Sequence, residues 1–258
     1  MEALLLAAGL GTRLKPYTDF WPKCLMPING RALLDYWISD LRNCGISHIY
    51  VNTYHHNEIV KSFLSQKIFR DYVSVLNEKT LLGTGGTLVN FLEKHNIRDN
   101  LLVAHCDNYV CEGLEKFVEI FENQKIQHYS YVMGFNVKST NNFGIFHIDS
   151  NHVAKSFFEK DPKAIGDIAN GAIYIFNSSD QKLIESIPHM YDISVDLIPK
   201  LMGKLKVYVT EKCFIDIGSP INLKFAMKQA KKESCHQIEP IWVEKLENIE
   251  KRIINSDY

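Results

Sequence analysis

The chain has 258 residues, of which 46% are hydrophobic and 23% charged, and its 29 basic and 30 acidic residues leave a formal charge of −1. That balance gives no whole-molecule attraction to nucleic acid or to an anionic membrane, and the length suits one large domain or one domain with an appendage. No apolar run is long enough for a membrane span, the N-terminus lacks a basic region with a cleavage site, and no two of the six cysteines (24, 44, 106, 111, 213 and 235) have Cys-x-x-Cys spacing. The expectation is a cytoplasmic protein with buried reduced thiols, no nucleic-acid or membrane partner, and a fold that begins at its first residues.

The first element is the apolar run Leu4 to Ala8, short and oily on both faces, which predicts a buried parallel strand. It breaks at Gly9 and Gly11, and two cations follow, Arg13 and, directly after Pro22, Lys23. Glycines at a strand's carboxyl end allow a tight turn and present bare N–H groups, so the two fixed cations make phosphate the expected ligand. The Walker string is absent, and the dinucleotide fingerprint fails because Leu14 stands where its third glycine belongs. Gly-x-Gly alone would read as a bare turn with a chance arginine.

The whole string is more specific. Ala7-Ala8-Gly9-Leu10-Gly11-Thr12-Arg13, a short spacer and Pro22-Lys23 together resemble the signature of the sugar-1-phosphate nucleotidyltransferases. The resemblance implies an α/β fold of the nucleotide-diphospho-sugar transferase (Rossmann-like) type, an open, mostly parallel sheet flanked by helices. It also implies that Ala8, Gly9, Gly11, Thr12 and Arg13 bind the nucleotide, that Arg13 neutralises the departing pyrophosphate, and that Lys23 contacts the reacting phosphates.

After Gly30 and Arg31, Leu34, Trp37, Ile38 and Leu41 recur at helical spacing, and Ser47 to Val51 reads as a strand. His55 and His56 follow it. Neighbouring histidines on a loop rarely chelate one ion, so they read as a polar edge of the substrate pocket. A helix over Glu58 to Leu64 and a strand over Tyr72 to Leu76 lead to Leu82-Gly83-Thr84-Gly85-Gly86, a second glycine loop before the helical pattern Leu88, Phe91, Leu92. By resemblance this is the base-recognition segment, with Glu78, Gly83 and Thr84 on the nucleotide.

Asn100 to Cys106 is the most hydrophobic strand and therefore central, and it ends in Asp107-Asn108. Residue chemistry alone leaves Asp107 as a magnesium ligand or as an Asx turn before the helix Leu114 to Phe121. The resemblance makes Asp107 a metal ligand that also meets the nucleotide, and Asn108 a substrate contact. His105-Cys106 replaces a commoner glycine ahead of it. Strands are expected over Tyr129 to Asn136, Gly144 to Ile148, Val153 to Phe158 and Ala172 to Phe176. Gly144, Glu159, Lys160 and Asn170 match family positions on the sugar and its phosphate, although Asp161 interrupts the usual Glu-Lys-Pro. A helix bent at Pro199 is expected over Asp192 to Met202, a strand over Lys206 to Thr210 and a helix over Asn222 to Ala230. Between them, Phe214-Ile215-Asp216-Ile217-Gly218-Ser219-Pro220 carries Asp216, a second metal ligand by resemblance.

The expected organisation is a nucleotidyltransferase domain over 1–230 and a helical extension over 231–258. In the extension Trp242, Leu246, Ile249 and Ile253 form one apolar stripe. With the core complete without it, the stripe is expected to meet a second copy, giving a homodimer; folding back on its own domain is the alternative.

The implied reaction is attack by a hexose or heptose 1-phosphate on the α-phosphorus of a nucleoside triphosphate, with release of pyrophosphate and with Mg2+ as cofactor. Arg13, Lys23, Asp107 and Asp216 carry it. GTP is the expected donor, because Leu-Gly-Thr-Gly-Gly looks most like members that activate mannose- or heptose-type phosphates, and UTP is next. The alternatives are a uridylyl- or cytidylyltransferase acting on an amino-sugar phosphate or another phosphorylated small molecule, and a nucleotide-sugar-sensing regulatory subunit. The chain has no Asp-x-Asp of the kind a nucleotide-sugar-dependent glycosyltransferase carries.

Overall fold

The computed structural model describes residues 1–97, 99–110, 113–124, 128–212, 214–230 and 238–256. By packing, the chain divides into two units, each assembled from separate segments: Met1–Leu4, Leu82–Ala104 and Gly113–Lys212 form one, and Leu5–Leu81, His105–Glu112 and Cys213–Tyr258 the other.

The first unit is built around the strand Ile168–Phe176. Ile173 to Phe176 pair antiparallel with Ala104 to Leu101, and other positions pair with Ser130–Asn136 and Gly144–Ile148. Ala154–Glu159 extends the sheet beyond Gly144–Ile148, and Leu205–Thr210 runs parallel to Ser130–Asn136. The strand begins at Ile168 rather than at Ala172, so Asn170 lies within it, at a shift in register toward Ser130–Asn136. Leu101 to Ala104 are sealed from solvent, as expected of a central strand. The helices Gly83–Lys94 and Leu114–Glu122 belong to this unit. The helix expected over Asp192 to Met202 is a wide turn over Ile193–Leu197 followed by a tight one over Ile198–Leu201, because Pro199 has no N–H to continue an α-helical ladder.

In the second unit Ile49–Thr53 and Val73–Asn77 are parallel strands joined through the helix Asn57–Leu64. The helix Leu33–Asn43 buries Leu33, Leu34, Trp37, Ile38 and Leu41, the face its periodicity marks. The first strand covers Glu2–Leu6 instead of running to Ala8: the Ala7 N–H turns away to the Asn52 Oδ1, 2.6 Å distant. Local sequence did not announce the ribbon in which Asn108–Val110 pairs antiparallel with Phe214–Asp216. After it, Ser219 caps the helix Pro220–Gln229 and Pro220 occupies its first turn.

The C-terminal stripe corrects the sequence reading. Trp242, Leu246, Ile249 and Ile253 are buried by their own unit, so the stripe of the helix Pro240–Ile254 folds back on its own chain and completes a core there. The Trp242 ring stands edge-on to Phe63 with centroids 5.1 Å apart, and 6.3 Å from Trp21. The Glu239 N–H donates to the Gln66 side chain at 2.7 Å, Lys224 Nζ donates to the Ser256 carbonyl at 2.7 Å, and the Tyr17 hydroxyl meets the Ser256 hydroxyl. Among the described cysteines, Cys24, Cys44 and Cys106 are free, and burial pushes the Cys24 thiol up to about 12. Cys111, Cys213 and Cys235 lie outside the described residues.

Trp242→Ala therefore removes a buried indole from the second unit. It should cost ~3–5 kcal/mol of unfolding free energy in urea, far above the effect of an exposed stripe; a loss under 1 kcal/mol would contradict the observed packing.

Candidate active site

In the second unit the ribbon Asn108–Val110/Phe214–Asp216 sets Asp216 opposite Asn108, beside Asp107, and the Ile217 N–H donates to the Asp107 carbonyl at 3.0 Å. Lys23 reaches both carboxylates: its Nζ lies 2.8 Å from Asp107 Oδ2 and 3.7 Å from Asp216 Oδ1. The local sequence explains its placement. Pro22 starts a tight turn over Lys23–Leu25, in which Cys24 and Leu25 are buried and anchor the base of the lysine. Only 10% of the Lys23 side chain is exposed, so its short contact with Asp107 is a strong charge-assisted bond. Burial works against the Asp107 charge, but the Lys23 ammonium, seconded by His105, outweighs it and holds the carboxyl below its usual range.

Arg13 completes the group, with Nη2 3.4 Å from Asp216 Oδ2. Its side chain is 72% exposed, so this contact is weak and easily exchanged for a phosphate. Gly218 allows the approach, since a Cβ there would lie 2.7 Å from the Arg13 guanidinium. Two cations thus face two carboxylates, a set that neutralises itself when nothing is bound. The same donors fit magnesium: two hard carboxylate oxygens, brought to one point by paired strands, suffice for an ion that completes its shell with water and phosphate oxygens. Among the described residues no group of three or more acidic, histidine or cysteine side chains forms a metal cage.

The glycine loop is held from beneath. Gly11 has φ +64°, and a Cβ there would stand 2.7 Å from the Thr18 methyl, so both backbone and space demand glycine. Ala8 is buried, and Thr12 opens the short turn Thr12–Leu14. Behind the loop lies a residue the sequence reading passed over. Asn52 Oδ1 accepts the Ala7 N–H, and Asn52 Nδ2 donates to Glu78 Oε1 at 3.0 Å. Asn52 and Glu78 are both buried, so one amide links the start of the glycine loop to the carboxylate expected at the base. Its only signal was its place at the carboxyl end of a strand. Asn108 is also buried, and its carbonyl accepts from the Trp37 indole at 2.9 Å.

The first unit holds the remaining candidates. Gly83 to Gly86 form the opening turn of the helix Gly83–Lys94 rather than a loop ahead of it. Gly83 has φ +75°, and a Cβ there would strike the Tyr191 carbonyl. The Gly85 N–H donates to that carbonyl at 2.8 Å, and Thr84 Oγ1 accepts from the Ile193 N–H at 2.9 Å. Packing against Met190 to Ile193 therefore explains part of the glycine run that the sequence reading assigned to ligand approach. Asn170 donates through Nδ2 to the Tyr174 hydroxyl at 2.8 Å and to Ser194 Oγ at 3.3 Å, and its Oδ1 accepts from the Ala172 N–H. Gly144 lies opposite Glu159 in register and against the Phe157 ring. Lys160, mostly exposed and at φ +49°, pairs with its neighbour Glu159 at 3.3 Å.

Two groups of candidates thus emerge: Arg13, Lys23, Asp107 and Asp216 with the glycine loop, Asn108 and Glu78 in one unit; Gly83, Thr84, Gly144, Glu159, Lys160 and Asn170 in the other.

Comparison with known proteins bears on the chemistry. A family model described as nucleotidyl transferase matches residues 2–233. A putative mannose-1-phosphate guanyltransferase of Sulfolobus acidocaldarius is 27% identical over 85% of this chain, which spans 60% of that relative's length. The D-glycero-alpha-D-manno-heptose 1-phosphate guanylyltransferase of Aneurinibacillus thermoaerophilus is 27% identical over 89% of this chain and 98% of its own. A UTP–glucose-1-phosphate uridylyltransferase of Synechocystis is also 27% identical, over 84% of this chain and 60% of its own. The crystal structure of HddC from Yersinia pseudotuberculosis complexed with GMP-PN superposes with a TM-score of 0.71, at 27% identity, over 88% of this chain and 98% of that one.

The buried Asn52 bridge predicts that Asn52→Leu, close in volume, removes the acceptor of the Ala7 N–H and one donor to Glu78. The expected cost is ~2–4 kcal/mol in urea denaturation; a neutral substitution would mean that the bridge contributes nothing.

Proposed function

Because the chain belongs to the nucleotidyl transferase family, in its sugar-1-phosphate branch, we propose that it transfers a nucleoside monophosphate from a triphosphate, GTP by preference, to a hexose or heptose 1-phosphate. A phosphate oxygen of the sugar 1-phosphate attacks the α-phosphorus, the bond from that phosphorus to the bridging oxygen breaks, and pyrophosphate leaves with the electron pair. The nucleophile is already an anion near neutral pH, so positioning and charge neutralisation are what the protein must supply. One observation carries the reading: a buried lysine ammonium 2.8 and 3.7 Å from two carboxylates, beside a glycine loop that bears an arginine.

In this reading Asp107 and Asp216 hold magnesium, which when bound would neutralise phosphate charge and orient the two reacting groups. Lys23, relieved of its carboxylates, contacts the phosphates at the reacting centre. Arg13, weakly held and exposed, turns to the departing pyrophosphate with the fork geometry that phosphate oxygens favour. The N–H groups of Gly9, Gly11 and Thr12 cradle the triphosphate. Asn108, Gly144, Glu159, Lys160 and Asn170 are assigned to the sugar phosphate, and Glu78, Gly83 and Thr84 to the base.

Guanine supports the choice of donor, since its adjacent N1–H and N2–H groups require an acceptor such as a carboxylate, and Glu78 is held in orientation by Asn52. Two of the relatives described above are named guanylyltransferases. The third, at the same identity, is named a uridylyltransferase, which keeps UTP as the second reading. The described residues contain no helix long and apolar enough to cross a membrane, and we assign the reaction to the cytoplasm, where nucleoside triphosphates are made available to such enzymes.

Pyrophosphate release with GTP, UTP, CTP and ATP against a panel of hexose and heptose 1-phosphates tests the proposal. GTP should lead by at least ~10²-fold in kcat/KM, because buried acceptors reject a base that lacks the matching donors. A clear pyrimidine preference would overturn the choice of base, and tight GTP binding without turnover on any sugar phosphate would favour a sensing subunit.

Lys23→Met should lower kcat by about 10²-fold, equivalent to ~3 kcal/mol of transition-state stabilisation. Asp107→Asn and Asp216→Asn should each fall at least as far, with a raised magnesium requirement. Full turnover in the Lys23 variant would reduce that residue to a binding role.

A further inference from the structure

His55 and His56 read from sequence as a polar rim, yet the structure turns both rings to one backbone atom. His55 Nε2 lies 3.1 Å and His56 Nε2 2.9 Å from the carbonyl oxygen of Thr18, with ring centroids 4.0 Å apart. A carbonyl oxygen can only accept, so both contacts require the proton on Nε2 and set the tautomer of each ring. Thr18 itself is buried, and its hydroxyl donates to the Gly11 carbonyl at 2.9 Å. That same carbonyl accepts the Leu14 N–H at 2.8 Å. Both acceptor sites of Gly11 are therefore committed to the protein, and its oxygen is kept from facing an anion while the loop N–H groups remain to bind one.

The histidines are held in their turn. His56 takes up φ +51°, a left-handed conformation uncommon for a side-chain-bearing residue, and its carbonyl accepts the Ile59 and Val60 N–H groups at the start of the helix Asn57–Leu64. A fixed strand-to-helix corner thus projects both imidazoles at Thr18, and Thr18 projects its hydroxyl and methyl at Gly11.

We infer that His55 and His56 are paired positioning residues for the nucleotide, acting through Thr18 to keep the Gly11 carbonyl out of the phosphate site. The inference rests on the assignment of the glycine loop to the triphosphate. Because either imidazole alone still supplies Thr18 with a donor, the two are redundant: one loss should be tolerated and two should not. Glutamine can place an amide N–H near the position of Nε2, whereas phenylalanine fills the same space with no donor.

The test uses the full chain and two readouts. In amide hydrogen exchange without ligand, His55→Phe and His56→Phe should each speed exchange at Leu14 and Lys15 by less than about threefold, while the double variant should speed it at least tenfold and leave the strand Leu101–His105 protected. In steady-state kinetics with GTP and magnesium, the double Phe variant should raise KM for the triphosphate at least tenfold with KM for the sugar phosphate unchanged, and the double Gln variant should restore it to within about threefold. Unchanged exchange in the double Phe variant, strictly additive single effects, or failure of glutamine to rescue would each overturn the pairing. Should the wild type release no pyrophosphate, that result would fall on the proposed reaction, and the ligand-free exchange measurement would still decide the histidines.

Discussion

Two carboxylates from distant parts of the chain reach one buried ammonium, and the second unit is arranged so that they do. Asp107 follows the strand Leu101–His105, and Asp216 closes the strand Phe214–Asp216; the short ribbon between Asn108–Val110 and the latter keeps them side by side. Such a pair would repel if it stood alone in a partly buried setting. Lys23, and more loosely Arg13, offset that repulsion and keep the site preformed. The same exchange of partners that suits magnesium for the carboxylates suits phosphate for the cations, so little of the protein need reorganise when both arrive.

Rigidity around this cluster comes from backbone groups whose partners are polar side chains. Asn52 ties the Ala7 N–H to Glu78, Thr18 ties the Gly11 carbonyl to the imidazoles of His55 and His56, and Asp216 accepts the Gly218 N–H at 2.7 Å. The backbone groups they hold, at Ala7, Gly11 and Gly218, lie just after a strand or at a turn, where the chain has left its ladder and its N–H and C=O groups need new partners. The glycines then have two separable reasons. Gly11 combines a left-handed backbone with the press of Thr18, and Gly83 combines one with the Tyr191 carbonyl. Backbone conformation and packing by themselves require glycine at both positions.

The C-terminal helix shows how an amphipathic pattern can be read correctly and placed wrongly. Its stripe of Trp242, Leu246, Ile249 and Ile253 is apolar at helical spacing, and all four residues are buried. The partner is the chain's own second unit, through Trp21 and Phe63, and not a second copy. The same helix end touches Tyr17, the residue before Thr18, through Ser256.

What the sequence by itself determined was local: the glycine-and-cation string, the apolar strand that ends in Asp107, the buried face of Leu33–Asn43, and with them the family and its open sheet. These are legible because backbone freedom, side-chain period and charge are properties of neighbouring residues. Tertiary structure alone decided which groups meet. Nothing near Lys23 in sequence points to Asp216, nothing near Asn52 to Ala7 or Glu78, and nothing near His55 to the carbonyl of Thr18. Periodicity tells which side of a helix avoids water but not what covers it, and a polar side chain names its chemistry but not its partner. Those choices are made by strand pairing and loop closure over long separations, where the reason is geometric and leaves no trace in the residues on either side.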